Sequence, residues 1–196
     1  MSKDKREIQK EDIMSLDVYV KNRKEIRKKI VEFKKDRRIA LGPYATFYFE
    51  SFETMLAQVQ EMLYIEKGGD EQLKDELIAY NPLVPNGKEL TATLMFEIDN
   101  PVSRATFLSK VGGIEEKVFM KIDGELIKAV PEKDVDRTST EGKASSVQFI
   151  HFKFNNEQIS KFKISHEIEI SIDHKEYSHA TKLTKSTIKS LLADFN

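Results

Sequence analysis

Three groups of residues have side chains and spacing suited to chemistry. The run Asp173-His174-Lys175-Glu176-Tyr177-Ser178-His179 places two imidazoles and a carboxylate, His174, Glu176 and His179, in one short segment. Neutral imidazole nitrogen and carboxylate oxygen are ligands for a divalent transition metal. The segment holds a single Glu-x-x-His, Glu176 to His179, whereas a di-iron bundle uses two on facing helices, so a solvated turn competes with a metal site. The second group surrounds Gly142-Lys143, where Arg137, Lys143 and nearby hydroxyls can meet an anion. A phosphate-cradling loop is excluded there, because that motif needs glycine where the chain has Arg137 and Ser or Thr where it has Ala144.

The third group consists of polar residues on apolar helix stripes. Arg23 falls among Leu16, Val20 and Ile30 at helical spacing, and Glu66 follows Met62 and Leu63 on the stripe of a later helix. An unpaired buried charge is costly. The two opposite charges are therefore expected to face each other, as a structural ion pair or around a shared ligand, with Gln58, Glu61, Tyr80 and Asn81 lining a neighbouring pocket. His151, on the Val147 and Phe149 face of an expected interior strand, reads as a hydrogen-bonded core histidine. No Ser-His-Asp set and no glycine-rich dinucleotide fingerprint is recognisable.

Composition narrows the classes further. The 196 residues include no cysteine, which removes disulfides, thiolate metal sites and cysteine nucleophiles and fits a reducing compartment. No apolar run approaches the roughly 20 residues of a membrane helix, and the N-terminus lacks the apolar segment of a secretory signal. The expectation is a soluble, cytoplasmic protein. Thirty-two basic residues nearly cancel 33 acidic ones, yet residues 21–38 alone hold ten basic against three acidic. A basic helix can bind nucleic acid. With the remainder of the chain net acidic, a solvated helix face is the favoured reading.

These residues need elements to position them. Residues 1–11 read as a polar, flexible N-terminus and 12–196 as a single α+β domain. Apolar spacing predicts helices over about 15–36 and 52–67, the second capped by Ser51, and a short third helix stopped by Asn81-Pro82. Residues 88–99 alternate over five consecutive pairs, the clearest strand in the chain. Asn100-Pro101 opens another helix, Asp123-Gly124 marks a two-residue hairpin, and 131–145 reads as a long loop. Strands over 146–154, 166–173 and 179–183 alternate with helices over 156–162 and 184–195. The expected architecture is a mixed, mostly antiparallel sheet of six or seven strands, with helices concentrated in the N-terminal half.

The segments Leu41-Gly-Pro-Tyr-Ala-Thr, Gln58-Val-Gln-Glu-Met-Leu with Glu66 following, Tyr80-Asn-Pro-Leu-Val-Pro-Asn-Gly, Glu89-Leu-Thr-Ala-Thr-Leu-Met-Phe-Glu-Ile and Gly142-Lys-Ala-Ser-Ser-Val carry a resemblance. Over about 12–195 the chain resembles a proteobacterial family catalogued as domain of unknown function family 3501. The resemblance implies a place beside a rubrerythrin-like protein and an iron-sulfur oxidoreductase subunit, hence a supporting role in a redox or peroxide-defence pathway. Without cysteine, any redox centre belongs to a partner or a bound cofactor. Two classes follow: an accessory or binding protein that docks to such a partner, which is favoured, and a small-molecule enzyme using carboxylates, metal-assisted, near Glu66 or His174 and His179.

Overall fold

The computed structural model describes residues 5–132, 138–139 and 142–195. Helix α1 (Leu16–Lys35) leads through Asp36 and Arg37 into a hairpin of β1 (Arg38–Leu41) and β2 (Ala45–Phe49), joined by the Gly42-Pro43-Tyr44 turn. Ser51 then caps α2 (Phe52–Glu66): its hydroxyl accepts from the Thr54 amide while the Thr54 hydroxyl accepts from the Ser51 amide, satisfying two donors at the helix start. Lys67, at φ 56°, ends α2 in the left-handed region, and α3 (Gly69–Tyr80) follows at once. Next come β3 (Glu89–Phe96), α4 (Pro101–Lys110) capped by Asn100, and the hairpin of β4 (Val118–Ile122) and β5 (Glu125–Lys128) around Asp123-Gly124. Two-residue β6 (Val130–Pro131), β7 (Val147–Lys153), α5 (Asn156–Ile164), β8 (Ile168–His174), β9 (Tyr177–Lys182) and α6 (Lys185–Leu191) complete the described chain.

The class is α+β, and among the described residues every ladder between these strands is antiparallel. Where one mixed sheet was expected there are two, ordered β1-β2-β3-β7-β6 and β5-β4-β8-β9. Alternation shows which face of a strand is apolar, but not which sheet the strand joins. The inner faces of both sheets, with Leu90, Leu94, Ile150 and Phe152 on one and Met120, Ile170 and Ile172 on the other, form one continuous core. A second, smaller core lies on the outer face of the five-stranded sheet, where Phe149 meets Met55, Val59 and Leu63 of α2 and Leu73 of α3. His151 shares that outer face, and its Nδ1 lies 3.3 Å from a Glu89 carboxylate oxygen, a partly buried pair that bears out the reading of a hydrogen-bonded histidine.

Within the segment that reads as a flexible N-terminus, residues 5–11 make specific contacts with the helical layer. Ile8 is buried in the helical core, and its backbone exchanges hydrogen bonds of 2.8 and 3.1 Å with the Asn81 side chain. One apolar anchor and a two-point amide clamp fix a segment whose composition is otherwise polar.

Among the described residues Arg37 is the largest fully buried side chain, at 1% exposure. Its guanidinium donates to the carbonyls of Phe49, Glu50 and Ser190 and to the carboxylate of Asp194, tying the β1–β2 hairpin to the C-terminal turn. Burial raises the Asp194 carboxyl to about 6, outweighing the attraction of the guanidinium beside it.

Candidate functional site

Helix α1 lies across a flank of α2. The Gln60 side chain grips the Met14 backbone, accepting from its amide at 2.8 Å and donating to its carbonyl at 3.2 Å. Within α1, Arg23 meets Glu61: Nε and one terminal nitrogen donate to the two carboxylate oxygens at 2.9 and 3.0 Å. This is the forked geometry that a guanidinium favours. The buried Tyr19 hydroxyl donates to the same carboxylate at 2.5 Å, and the Arg23 guanidinium sits 4.5 Å from the Tyr64 ring centroid, within cation–π range. Burial works to raise the Glu61 carboxyl, but the hydrogen bonds and charge of Arg23 and Tyr19 hold it below the usual range. Burial and the Glu61 carboxylate push the Tyr19 phenol well above its own.

Arg23 is thus paired, but with Glu61 and not with Glu66. The Phe52–Leu63 stripe of α2 faces the sheet and α3, so α1 takes the flank that carries Ala57, Gln60, Glu61 and Tyr64. Glu66, the last residue of α2, is exposed and accepts from Gln72 of α3 at 3.0 Å. Gln58 reaches Tyr80 at 3.5 Å, and Asn81 is consumed by Ile8. The six residues therefore do not line one pocket. Gln58 and Glu61 border a small groove of about 160 Å³ beside Ile30 of α1, while Tyr80 and Asn81 lie outside it.

This arrangement gives a test by substitution. Glu61→Gln is expected to lower stability by about 1 kcal/mol, a screened, partly exposed pair being worth no more, whereas Glu66→Gln should stay within about 0.5 kcal/mol. Urea unfolding of both variants checks this, and a larger loss for Glu66→Gln would reverse the pairing.

The metal-ligand set is not assembled. His174 and Tyr177 are paired across β8 and β9, so the segment is a tight hairpin turn rather than a loop. The buried His174 accepts at Nδ1 from the Glu176 amide at 3.2 Å, and His179 packs on the Tyr177 ring, centroids 4.5 Å apart. Among the described residues no three His, Asp or Glu side chains come together as a metal-holding group. Of the anion pair, Arg137 lies outside the described residues. Lys143 is exposed, its amide donating to the Ser139 hydroxyl at 3.2 Å and its carbonyl accepting from the Ser139 amide at 2.8 Å.

What the outer side of α1 presents is a mixed surface. Leu16, Val20 and Val31, exposed at 40%, 55% and 63%, run with Arg27 along one strip. Lys21, Lys24 and Lys28 form the adjoining ridge, because at about 100° per residue they fall within one narrow arc. All three lysines are exposed, and none forms an ion pair among the described residues. No described helix is long and apolar enough to cross a membrane. The exposed valines carry no signal separable from the buried stripe in sequence, since Val20 and Val31 lie at its edge.

Comparison with known proteins follows the fold closely. A comparison with curated proteins gives no match. A crystal structure of a novel protein of unknown function from Burkholderia pseudomallei K96243 superimposes with a TM-score of 0.90 at 32% identity, covering 96% of this chain and 99% of that one. The family model described as "Protein of unknown function (DUF3501)" matches residues 7–195, nearly the whole chain, and the chain belongs to that family.

Proposed function

We propose that this chain is a cytoplasmic accessory protein that docks, through the outer face of α1, onto an acidic partner protein. The carrying observation is the exposed strip of Leu16, Val20 and Val31 lying against the ridge of Lys21, Lys24 and Lys28. An apolar centre with a charged margin is the anatomy of a protein interface. The margin is cationic while the whole chain is near neutral, so the partner's face is anionic. Two copies meeting through this face would set lysine against lysine, which disfavours self-association. The family resemblance supplies the candidates, a rubrerythrin-like protein or an iron-sulfur protein of the same redox or peroxide-defence pathway, with the redox centre in the partner.

The test titrates the purified protein against each of those two partners by calorimetry. Binding is expected to weaken as salt rises from about 0.05 to 0.3 M, across which the screening length falls to somewhat less than half. The double variant Lys24→Glu, Lys28→Glu should bind at least tenfold more weakly at unchanged thermal stability, both positions being exposed. Unaltered affinity in that variant, or no binding to either partner at low salt, rejects the reading. So does equal or tighter retention of duplex DNA, which would assign the ridge to nucleic acid.

A further inference from the structure

Tyr44, in the turn between β1 and β2, borders a cleft of about 410 Å³ that no residue of α1, α2 or α3 lines, large enough for a small ligand. Helix α4 forms one wall, presenting Val102, Ser103, Thr106 and Lys110, which recur at three- and four-residue spacing on one face. Tyr44 and Phe107 give an aromatic wall, their centroids 5.2 Å apart edge to face, and Glu176 in the β8–β9 turn closes the rim.

Tyr44 is held in place while remaining 41% exposed. The Tyr177 hydroxyl accepts from the amides of Tyr44 and Ala45 at 3.1 and 3.0 Å and donates to the Leu41 carbonyl at 2.5 Å, so one buried phenol fixes both sides of the turn. The Tyr44 ring also stacks on Tyr177 at 6.3 Å. Its own hydroxyl has no hydrogen bond among the described residues. Lys110 and Glu176 are both exposed, and neither belongs to an ion pair there. A fixed aromatic surface, an uncommitted cation and an uncommitted anion thus converge on one cleft, on elements unrelated to α1. Pre-positioned groups of this kind lower the ordering cost of binding.

We propose that this cleft binds a small zwitterion bearing a flat ring, of the aromatic amino acid class. The ligand carboxylate pairs with the Lys110 ammonium, its ammonium pairs with the Glu176 carboxylate, and its ring packs against Tyr44 and Phe107. The assignment is independent of the docking surface.

The probe is L-tryptophan, whose fluorescence reports binding directly because the chain contains no tryptophan. Indole-3-propionate and tryptamine serve as ligands lacking one charge but keeping the same ring. Saturable binding of L-tryptophan at millimolar concentration or tighter is expected, at least tenfold stronger than either single-charge analogue. Lys110→Ala should reduce the L-tryptophan affinity to about that of tryptamine, and Glu176→Ala to about that of indole-3-propionate, both without change in thermal unfolding. Absence of saturation up to about 10 mM overturns the proposal. So does indifference of L-tryptophan affinity to either substitution, or binding of either analogue as tight as that of L-tryptophan.

Discussion

Replacing Arg37 by methionine is expected to lower the free energy of unfolding by about 3–5 kcal/mol, the cost of leaving a buried charge without its partner. For a chain of this length that is a fall in Tm of roughly 10 °C. The guanidinium is 1% exposed and serves three carbonyls and a carboxylate drawn from three separate elements. Methionine fills much of the volume but satisfies none of those acceptors. Arg37→Lys should recover little, since one ammonium cannot span the fork. Arg37→Met combined with Asp194→Leu should recover more, because it removes the orphaned carboxylate as well. Unfolding of Arg37→Met at the wild-type urea midpoint would mean that the site is wet.

The same pair sets a pH dependence with a definite sign. The folded Asp194 carboxyl titrates near 6 against an ordinary value of 3.8, so the folded state holds its proton more firmly than the unfolded chain. Its contribution to stability is therefore complete below pH 4, declines between about 4 and 6, and is absent above. A gap of about two units corresponds to roughly 3 kcal/mol. Wild type measured against Asp194→Asn should thus be relatively more stable at pH 4.5 than at pH 7. The opposite slope would show the Arg37 charge, rather than burial, governing this carboxyl.

Local pattern made most of this fold legible. Ser51, Asn100 and Asp123-Gly124 act where their side chains and backbone freedom predict, and the alternation of residues 88–99 becomes the strand shared by β2 and β7. Assignments across long separations were not legible. Arg37 is one of ten cations in a solvated run, and nothing near it in sequence marks it as buried, because its carboxylate lies 157 residues away. Arg23 was visible as a misfit that must find an acid, and it does. The acid is Glu61 rather than Glu66 because α2 packs on two sides, and periodicity describes only the more apolar one. The Gly42-Pro43 turn was visible, but its anchor at Tyr177 was not, since a single buried hydroxyl leaves no periodic trace.

That turn gives the second large effect. Gly42→Ala is expected to cost about 2–5 kcal/mol, read as the difference in urea unfolding from wild type. At φ +65° an L-residue is strained by about 1–2 kcal/mol. The added Cβ would also stand 2.5 Å from the His179 ring and 2.7 Å from the Tyr177 hydroxyl, an overpacking worth about 1–3 kcal/mol. Gly69, at φ +70° with nothing within 4 Å of a built Cβ, carries the first cost without the second, so Gly69→Ala should cost only about 1–2 kcal/mol. The exposed His179 ring can swing aside, whereas the Tyr177 hydroxyl is tied by three hydrogen bonds. Adding His179→Ala to Gly42→Ala should therefore restore little. Equal costs for Gly42→Ala and Gly69→Ala would show that the turn is not packed against β9 at all. If the predicted asymmetry holds, the rigidity that makes Gly42 irreplaceable is the same rigidity that keeps the Tyr44 ring aimed across its cleft.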